Sequence, residues 1–231
     1  MKLAIMQPYF LPYLGYFQLM AAVDRFVVYD DVRFIKGGWI NRNRILVKGR
    51  DHLLTVPLSG ASPNRNINEI QLTTQTAWKK KLLRTVELAY RRAPYFEQIF
   101  PLVREVVNFA ECNLAAYLLN GLLAIRDYLG ISTNVIATSA DYQNRELKGA
   151  ARILDICRQE KAIVYVNASG GKELYDADTF GANGITLRFL EPLDFRYEQF
   201  GGEFQPSLSI VDVLMFNPIE KVRDAICRKK N

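Results

Sequence analysis

Apolar and polar residues follow two alternating periods along the chain, and this alternation predicts an α/β fold. Lys2–Met6 is a short apolar run typical of a buried strand, and Arg25–Val32 is a second run of the same kind. Between them, from Gly15 onward, apolar residues recur at helical spacing. A strand, a helix and a strand over this length suit a right-handed crossover, so we expect the two strands to be parallel.

The pattern then changes to that of a hairpin. Arg44–Lys48 and His52–Leu58 lie on either side of a turn at Gly49, which predicts two antiparallel strands. Ile67–Leu72 is a candidate for a further strand.

A helical block of about residues 76–130 follows the hairpin. Apolar residues at helical spacing run through Trp78–Tyr90 and Leu102–Tyr128. We predict Pro94 and Pro101 to be breaks between helices, because proline lacks the backbone N–H that a helix interior needs.

The last third of the chain returns to the alternation of strands and helices. The predicted strands and helices lie near Val135–Thr138, Ala150–Glu160, Ile163–Val166, Leu174, Ile185–Leu190, Leu208–Met215 and Ile219–Arg228. We therefore predict one domain over residues 1–231, built on a mostly parallel Rossmann-like sheet that is flanked by helices. The antiparallel hairpin and the helical block are insertions into it.

The composition favours a folded protein and leaves the meaning of its positive charge open. Of the 231 residues 49% are hydrophobic, which is enough for a sizeable core. The net charge of +6 is modest and acidic residues are interspersed, so solubility alone explains it, a small anionic substrate is the more specific interpretation, and nucleic acid stays an alternative. Cys112, Cys157 and Cys227 are widely spaced, as free thiols of a reducing compartment are. Without a signal-peptide pattern or a membrane-length apolar stretch, we expect a cytoplasmic protein with no membrane partner.

The loop between the first strand and the first helix is the first candidate site. A helix N-terminus that faces a loop attracts anions, so this order of elements suits a phosphate or a carboxylate. The candidate ligand-binding residues are Gln7, Tyr9, Tyr13, Gly15 and Tyr16.

Part of this loop lies where nucleotidylyltransferases and adenylate-forming ligases of the same general α/β type carry a His-x-Gly-His signature. Both histidine positions are tyrosines here, Tyr13 and Tyr16, with Gly15 between them. A tyrosine hydroxyl can bond a phosphate, but with a pKa of about 10 it does not carry the positive charge of an imidazolium. The alternative is that these tyrosines only pack over the loop.

Two acidic residues, Asp30 and Asp31, end the second predicted strand, where open parallel sheets bind their ligands. Successive side chains of a strand point to opposite faces, so the two do not form an acid/base pair unless the strand ends between them. One of them is a candidate to receive a hydroxyl, an amine or a metal, and the other to cap a turn.

A loop rich in cations and amides follows the two carboxylates. Guanidinium groups, amides and an aromatic face together suit a phosphate with a base or a sugar. The alternative is a solvated positive loop beside the hairpin. The candidate substrate-binding residues of this loop are Arg33, Lys36, Trp39, Asn41, Arg42 and Asn43.

A glycine-rich turn in the last third is the third candidate. It is not a P-loop, because the first glycine of that motif is missing and Glu173 stands where Ser or Thr would meet magnesium. Its backbone N–H groups could still bind an anion, and a plain strand-to-helix turn is the alternative. The candidate ligand-binding residues are Asn167, Gly170, Gly171 and Tyr175.

Ser209 lies at the start of a late helix, where capping of the first turn and contact with a ligand are both open. Absent motifs narrow the chemistry further. His52 is the single histidine, so no histidine-rich zinc site is expected. The glycine signatures of α/β-hydrolases and of dinucleotide-binding dehydrogenases are also missing.

The motifs together closely resemble the WbqC-like family, over nearly the whole chain. The segments that carry the resemblance are Met6–Leu19, Val28–Val32, Lys36, Trp39–Ile45, Gly170–Gly171, Leu174–Tyr175, Gly184–Ile185 and Leu208–Asp212. The resemblance implies a place in bacterial O-antigen or other surface-polysaccharide pathways. We extend it to acyl or aminoacyl transfer onto the amino group of a nucleotide-linked deoxyamino sugar.

In that interpretation Arg33, Lys36 and Arg42 would meet the diphosphate, and Asp30 or Asp31 would take the proton of the attacking amine. The donor could be an acyl-CoA, a charged carrier or an acid activated with ATP and magnesium. Two other classes stay open. One is an ATP-dependent ligase or nucleotidyltransferase that binds a triphosphate in the first loop, and the other is a non-catalytic module that binds a sugar nucleotide or RNA.

Overall fold

The structure is a computed structural model that describes residues 1–191 and 193–227, so the predicted helix end at Arg228 lies outside the described residues. The strands in chain order are β1 (Lys2–Met6), β2 (Arg25–Val28), β3 (Arg42–Val47), β4 (Arg50–Thr55), β5 (Leu58–Ser59), β6 (Gln71–Leu72), β7 (Asn134–Ile136), β8 (Val164–Ala168) and β9 (Thr186–Leu190). The helices are α1 (Leu14–Ala21), α2 (Ala77–Tyr90), α3 (Phe96–Asn108), α4 (Leu114–Tyr128), α5 (Gly149–Gln159), α6 (Ala177–Gly181), α7 (Ile210–Phe216) and α8 (Ile219–Cys227).

The central sheet has the order β7-β2-β1-β8-β9 within the described residues, and all of its pairs are parallel. Strands buried on both faces need continuous apolar runs, which is what β1 and β2 have. The chain winds outward from β1 to β7 and then returns to place β8 on the other side of β1. The strand order therefore reverses between β1 and β8. The predicted α/β fold with a mostly parallel sheet is confirmed.

Helices cover both faces of this sheet, because successive side chains of each strand point to opposite sides. Leu3 and Ile5 of β1 face a small core that α5 and α6 complete. Ala4, between them, faces the larger core, to which α1, α4, α7 and α8 contribute.

The hairpin and the helical block are confirmed as insertions between β2 and β7. β3 and β4 pair antiparallel, with Ile45 opposite His52. The turn between the strands has positive φ angles at Lys48 (51°) and Gly49 (75°), as tight hairpin turns of two residues require. Helices α2, α3 and α4 form the helical block.

Pro101 does not break a helix, contrary to the prediction, whereas Pro94 does lie between two helices. Pro101 sits inside α3. An interior proline costs about 3 kcal/mol. Because α3 buries Ile99, Val103 and Val107, and each such side chain contributes about 1.5–3 kcal/mol, packing outweighs the lost hydrogen bond.

Several strand boundaries also differ from the prediction, and the two largest differences are at β2 and at Ile67–Leu72. β2 ends at Val28 instead of Val32, and the chain beyond it leaves the sheet to pair with a later segment, in which Ile67 N donates to Val32 O at 3.0 Å. The first half of the predicted strand Ile67–Leu72 is a 3-10 turn, Ile67–Glu69, and only Gln71–Leu72 forms a strand. Both differences depend on pairing between distant segments, which a local pattern does not contain.

Candidate functional site

The carboxyl ends of the parallel strands meet at one edge of the sheet. Gln7 follows β1, Tyr29 and Asp30 follow β2, and Thr138 follows β7 by two residues. Asn167 is the second-to-last residue of β8. Open α/β sheets bind ligands at this edge, in the crevice where the strand order reverses. Because the order reverses between β1 and β8, this rule predicts a ligand between the ends of those two strands.

Asp30 is a buried carboxylate held at this edge, with 4% of its surface exposed. Its Oδ1 accepts hydrogen bonds from the Thr138 hydroxyl at 2.8 Å and from the Ser139 N–H at 3.0 Å. Burial raises the pKa of Asp30 above its ordinary value, although these two hydrogen bonds oppose the change, and the nearby charge of Asp31 adds to it. Asp30 is thus oriented and more readily protonated than an ordinary aspartate.

Asp31 has the opposite environment. Arg152 Nη2 donates to both of its oxygens, at 2.7 and 2.6 Å, and Arg145 Nε donates to Oδ2 at 3.0 Å. Burial alone would raise the pKa of Asp31, but the hydrogen bond from the Ser139 hydroxyl and the bonds and charge of Arg152 together lower it. A carboxylate with two arginine partners is a weak base, so its geometry suits the positioning of those arginines.

Ser139 joins the two carboxylates. Its hydroxyl donates to Asp31 and lies 3.2 Å from the backbone N–H of Asp30, from which it accepts. Because β2 has ended at Val28, both side chains can turn toward β7 instead of to opposite faces. The pair consists of one carboxylate without a cationic partner among the described residues and one that two cations neutralise.

Arg145 is a residue of this edge that the sequence did not indicate. Its side chain is 55% exposed, while its Nε is bonded to Asp31. The terminal N–H groups of the guanidinium therefore point away from an anchored end, as a donor for an anionic ligand requires. No local motif marks this arginine, because its partner lies 114 positions earlier in the chain.

Tyr13 and Tyr16, which stand where the His-x-Gly-His signature has its histidines, have different environments. Tyr16 is buried, and its hydroxyl donates to Gln7 O at 3.0 Å, while its ring lies 5.7 Å from that of Tyr9. Tyr13 is 37% exposed. A Cβ atom on Gly15 would lie 2.4 Å from the Tyr13 ring, so glycine lets this ring fold over the start of α1. Tyr13 is the one of the two that reaches the surface.

Asn43 and Ser209 hold the first loop in place. The carbonyl oxygen of Leu11 accepts from Asn43 Nδ2 at 2.9 Å and from the Ser209 hydroxyl at 2.7 Å. Leu11 has a φ of 43°, a left-handed conformation that these bonds stabilise. Ser209 also caps α7 by accepting from Val211 N at 3.2 Å. Both side chains are buried and act in the framework of the loop.

A cavity of about 120 Å³ lies at the start of α1. Tyr13 and Gly15 line it together with Phe195, Tyr197 and Phe204 from the segment 193–208. The N-terminus of α1 therefore faces this late segment, a neighbour that the sequence did not predict.

The cationic loop forms a second cavity, of about 200 Å³, lined in part by Lys36, Asn41 and Arg42. Arg42 Nε donates to Gly38 O at 2.9 Å, which anchors the guanidinium. Asn41 Nδ2 donates to Val56 O at 2.8 Å, so this amide is engaged by the hairpin. The two cations are the groups of this cavity that suit an anion.

Arg33 and Trp39 lie outside that lining. Arg33 donates to the carbonyl oxygen of Asn64, and Trp39 is 43% exposed, with the Arg44 guanidinium 5.3 Å from its ring centre. The exposed indole face is available for stacking.

The glycine-rich turn after β8 is a 3-10 helix, Ser169–Leu174. Asn167 is buried, and its Oδ1 accepts from Ala168 N at 2.8 Å. A Cβ on Gly171 would lie 2.4 Å from Asn167 Nδ2, whereas Gly170 has open space around it. Tyr175 packs on Tyr165, with ring centres 5.7 Å apart. The turn is therefore built closely around Asn167.

Tyr13 and Arg42 line different cavities, and Asp30 lines neither of them. The cationic cavity is nevertheless near the sheet edge. Phe34 lines it and is four residues from Asp30, a distance of at most about 14 Å along the chain. The Phe10 N–H also donates to Ile40 O at 2.9 Å, which ties the first loop to the cationic loop.

Within residues 1–191 and 193–227, no group of three or more His, Cys, Asp or Glu residues is arranged to hold a metal ion. No helix in the same ranges has the length and apolar character to cross a membrane.

Comparisons with known proteins find a matching family model and a similar protein. A family model described as the WbqC-like protein family matches residues 7–224. An uncharacterized protein of Mycobacterium tuberculosis (strain ATCC 25618 / H37Rv), Rv1507c, is 34% identical over 218 residues, which cover 94% of this chain and 93% of the relative. No solved structure matches the chain.

Proposed function

This chain belongs to the WbqC-like protein family, and on that premise we propose that it transfers an acyl or aminoacyl group to the amino group of a nucleotide-linked deoxyamino sugar. The reaction would belong to the cytoplasmic stage of bacterial surface-polysaccharide (O-antigen) synthesis. The observation that carries the proposal is Asp30, a buried carboxylate with a raised pKa that hydrogen bonds orient at the edge where open α/β sheets bind their ligands.

The chemistry needs a base at this position. The neutral amine attacks the acyl carbonyl, the new C–N bond forms, and the bond from the carbonyl carbon to the leaving group breaks. The nitrogen must lose a proton, and Asp30, with its raised pKa, is suited to accept it. The exposed guanidinium end of Arg145 is suited to stabilise the negative charge that develops on the carbonyl oxygen or that a phosphate brings.

The cationic cavity supports the nucleotide part of the substrate. Lys36 and Arg42 give it two positive charges for a diphosphate. Trp39 lies outside the lining, in the same loop, and its exposed indole can stack on a base. The short chain distance from this cavity to Asp30 is one that a nucleotide-linked sugar in extended form can bridge.

The test is turnover of nucleotide-linked amino sugars with acyl-CoA, with aminoacyl-RNA, and with a carboxylic or amino acid plus ATP and magnesium. We expect amide formation with one donor, and a kcat that falls about 10²–10⁴-fold in Asp30→Asn. Thr138→Val is the companion variant, because it removes one of the bonds that orient Asp30. The proposal would be contradicted if no donor gave amide formation, or if turnover were unchanged in Asp30→Asn.

An ATP-dependent ligase or nucleotidyltransferase is the second candidate, and the exposed Tyr13 at the start of α1 favours it. Tyr16 weighs against it, because this tyrosine is buried at the position of the second signature histidine. Calorimetric titration with ATP and magnesium separates the two candidates. Binding that Tyr13→Ala abolishes would favour the ligase.

A further inference from the structure

The net positive charge of this protein is concentrated in one helical segment. Residues 77–92, which are α2 and the two residues after it, contain six basic residues and one acidic residue, a net charge of +5. The whole chain has a net charge of +6. The modest total thus hides a strongly asymmetric distribution, since the rest of the chain is nearly neutral.

The positive charge forms a stripe along the exposed side of α2. At about 100° per residue, Lys80, Arg84 and Arg91 fall within about 40° of one another around the helix axis, and the stripe is about 16 Å long. All of these side chains are exposed. The opposite side of the helix buries Leu82 and Val86 in the core.

A groove of about 700 Å³ runs beside this stripe, between α2 and α3. Its lining combines the cations Lys79, Lys80 and Arg84 with the Phe100 ring and the Asn108 amide. It also contains one acid, Glu87, which accepts from Arg84 at 2.9 Å and leaves the two lysines as the cations outside that pair. No ion pair of Lys80 occurs among the residues that the structure describes.

We propose that this basic groove is a docking surface for the phosphate backbone of an RNA. A row of cations beside an aromatic ring and an amide matches a strand that carries both phosphates and bases. A membrane fits less well, because the apolar side of α2 is already buried in the core and a flat lipid surface does not enter a groove. An acidic protein also matches the cations, but an RNA strand places a planar base beside each phosphate, and the ring and the amide can contact such a base.

Within the proposed function the RNA would be the donor substrate. This assignment of a role to the RNA rests on the proposed function. An RNA that carries an aminoacyl ester would be the donor. The amine of the sugar attacks the ester carbonyl, the C–N bond forms, and the ester C–O bond breaks. The proton of the amine passes by way of Asp30 to the ribose oxygen, which leaves as a hydroxyl. The reaction then needs no further co-reactant.

The test is fluorescence anisotropy of a labelled, deacylated bacterial tRNA with the full chain, measured over a series of salt concentrations. Lys80→Gln with Arg91→Gln removes two charges of the stripe. Lys48→Gln with Lys161→Gln removes two exposed charges elsewhere. We expect the salt slope to fall by about two in the first variant, with Kd raised roughly tenfold or more at 0.1 M salt, and little change in the second.

Equal weakening by the two variants would overturn the proposal, because it would reflect net charge alone. So would polyglutamate that binds as tightly as the tRNA, or phosphatidylglycerol vesicles that bind when the tRNA does not. The assay contains no sugar nucleotide and needs no turnover. Its failure would leave the proposed reaction standing, and a missing turnover would leave RNA binding standing.

Discussion

Arg152 Nη2 donates to both carboxylate oxygens of Asp31, at 2.7 and 2.6 Å, although the two residues lie 121 positions apart in the chain. The side chains are 4% and 0% exposed. The pair joins α5 to the segment after β2, and it also anchors Arg145 at the edge of the sheet. A structural ion pair therefore stands directly beside the candidate catalytic carboxylate.

Removal of one partner of this pair should strongly destabilise the fold. We expect Arg152→Met to lower the free energy of unfolding by about 3–5 kcal/mol, because Asp31 is left as a buried charge without its main partner. Urea denaturation measures this change. Arg84→Met is the control, since its ion pair with Glu87 is exposed and such pairs contribute about 0–1 kcal/mol. Similar losses in both variants would contradict the prediction.

Protonation of Asp31 should lower the stability of the protein at acidic pH. The folded-state pKa of this group is lowered, so its contribution is fully present above the unfolded pKa of about 3.9 and is lost as pH falls through the folded value. We expect the stability difference between the native protein and Asp31→Asn to be constant from pH 7 to about 5 and to shrink below that. A difference that grows on acidification would be inconsistent with a lowered pKa.

Two neighbouring glycines after β8 should respond differently to alanine. Gly171→Ala should destabilise by about 1–3 kcal/mol, because the new Cβ meets Asn167 Nδ2, and the Asn167 side chain is buried and bonded to Ala168 N. Gly170→Ala is the matched control, since nothing lies within 4 Å of its Cβ position. It should be neutral or slightly stabilising. Thermal unfolding of both variants tests the difference.

The hydrogen bonds by which Ser209 holds the first loop should contribute measurably to the free energy of unfolding. Ser209→Ala removes both the bond to the Leu11 carbonyl and the cap of α7, so we expect a loss of about 1–3 kcal/mol. Ser132→Ala, an exposed serine, should change stability by less than about 0.5 kcal/mol. An unchanged unfolding midpoint in Ser209→Ala would show that the loop is held by other contacts.

Tyr197 should control how firmly the segment 193–208 is attached. Its hydroxyl donates to Asp212 at 2.6 Å, and the buried Asp212 also accepts from Tyr90 at 2.6 Å. We expect Tyr197→Phe to speed limited proteolysis within this segment several-fold under native conditions, because one donor of a buried carboxylate is lost. Tyr128→Phe, in the helical block, should leave the cleavage rate unchanged.

The local pattern of apolar and polar residues was sufficient to predict most elements of the fold. The apolar runs of β1 and β2, the hairpin turn at Gly49 and the helical block depend on residues close in the chain, and all of them are present in the structure. Pro101 was misjudged because burial of the α3 face, a tertiary term, exceeds the local cost of an interior proline.

The site was less predictable from sequence. The carboxylates Asp30 and Asp31 were recognised from their place after a strand, but not their different states, which Thr138, Arg145 and Arg152 impose from more than 100 positions away. Asn43 was a candidate ligand by residue type, and the structure uses it in the framework of the first loop.

The sequence by itself determined the alternation of strands and helices, the family, and the excess of positive charge on one helix, because each of these is a property of residue order. Only the tertiary structure decided which carboxylate is neutralised and which loop faces which neighbour. Those outcomes depend on burial and on hydrogen bonds between segments that folding brings together, and such contacts have no local signature.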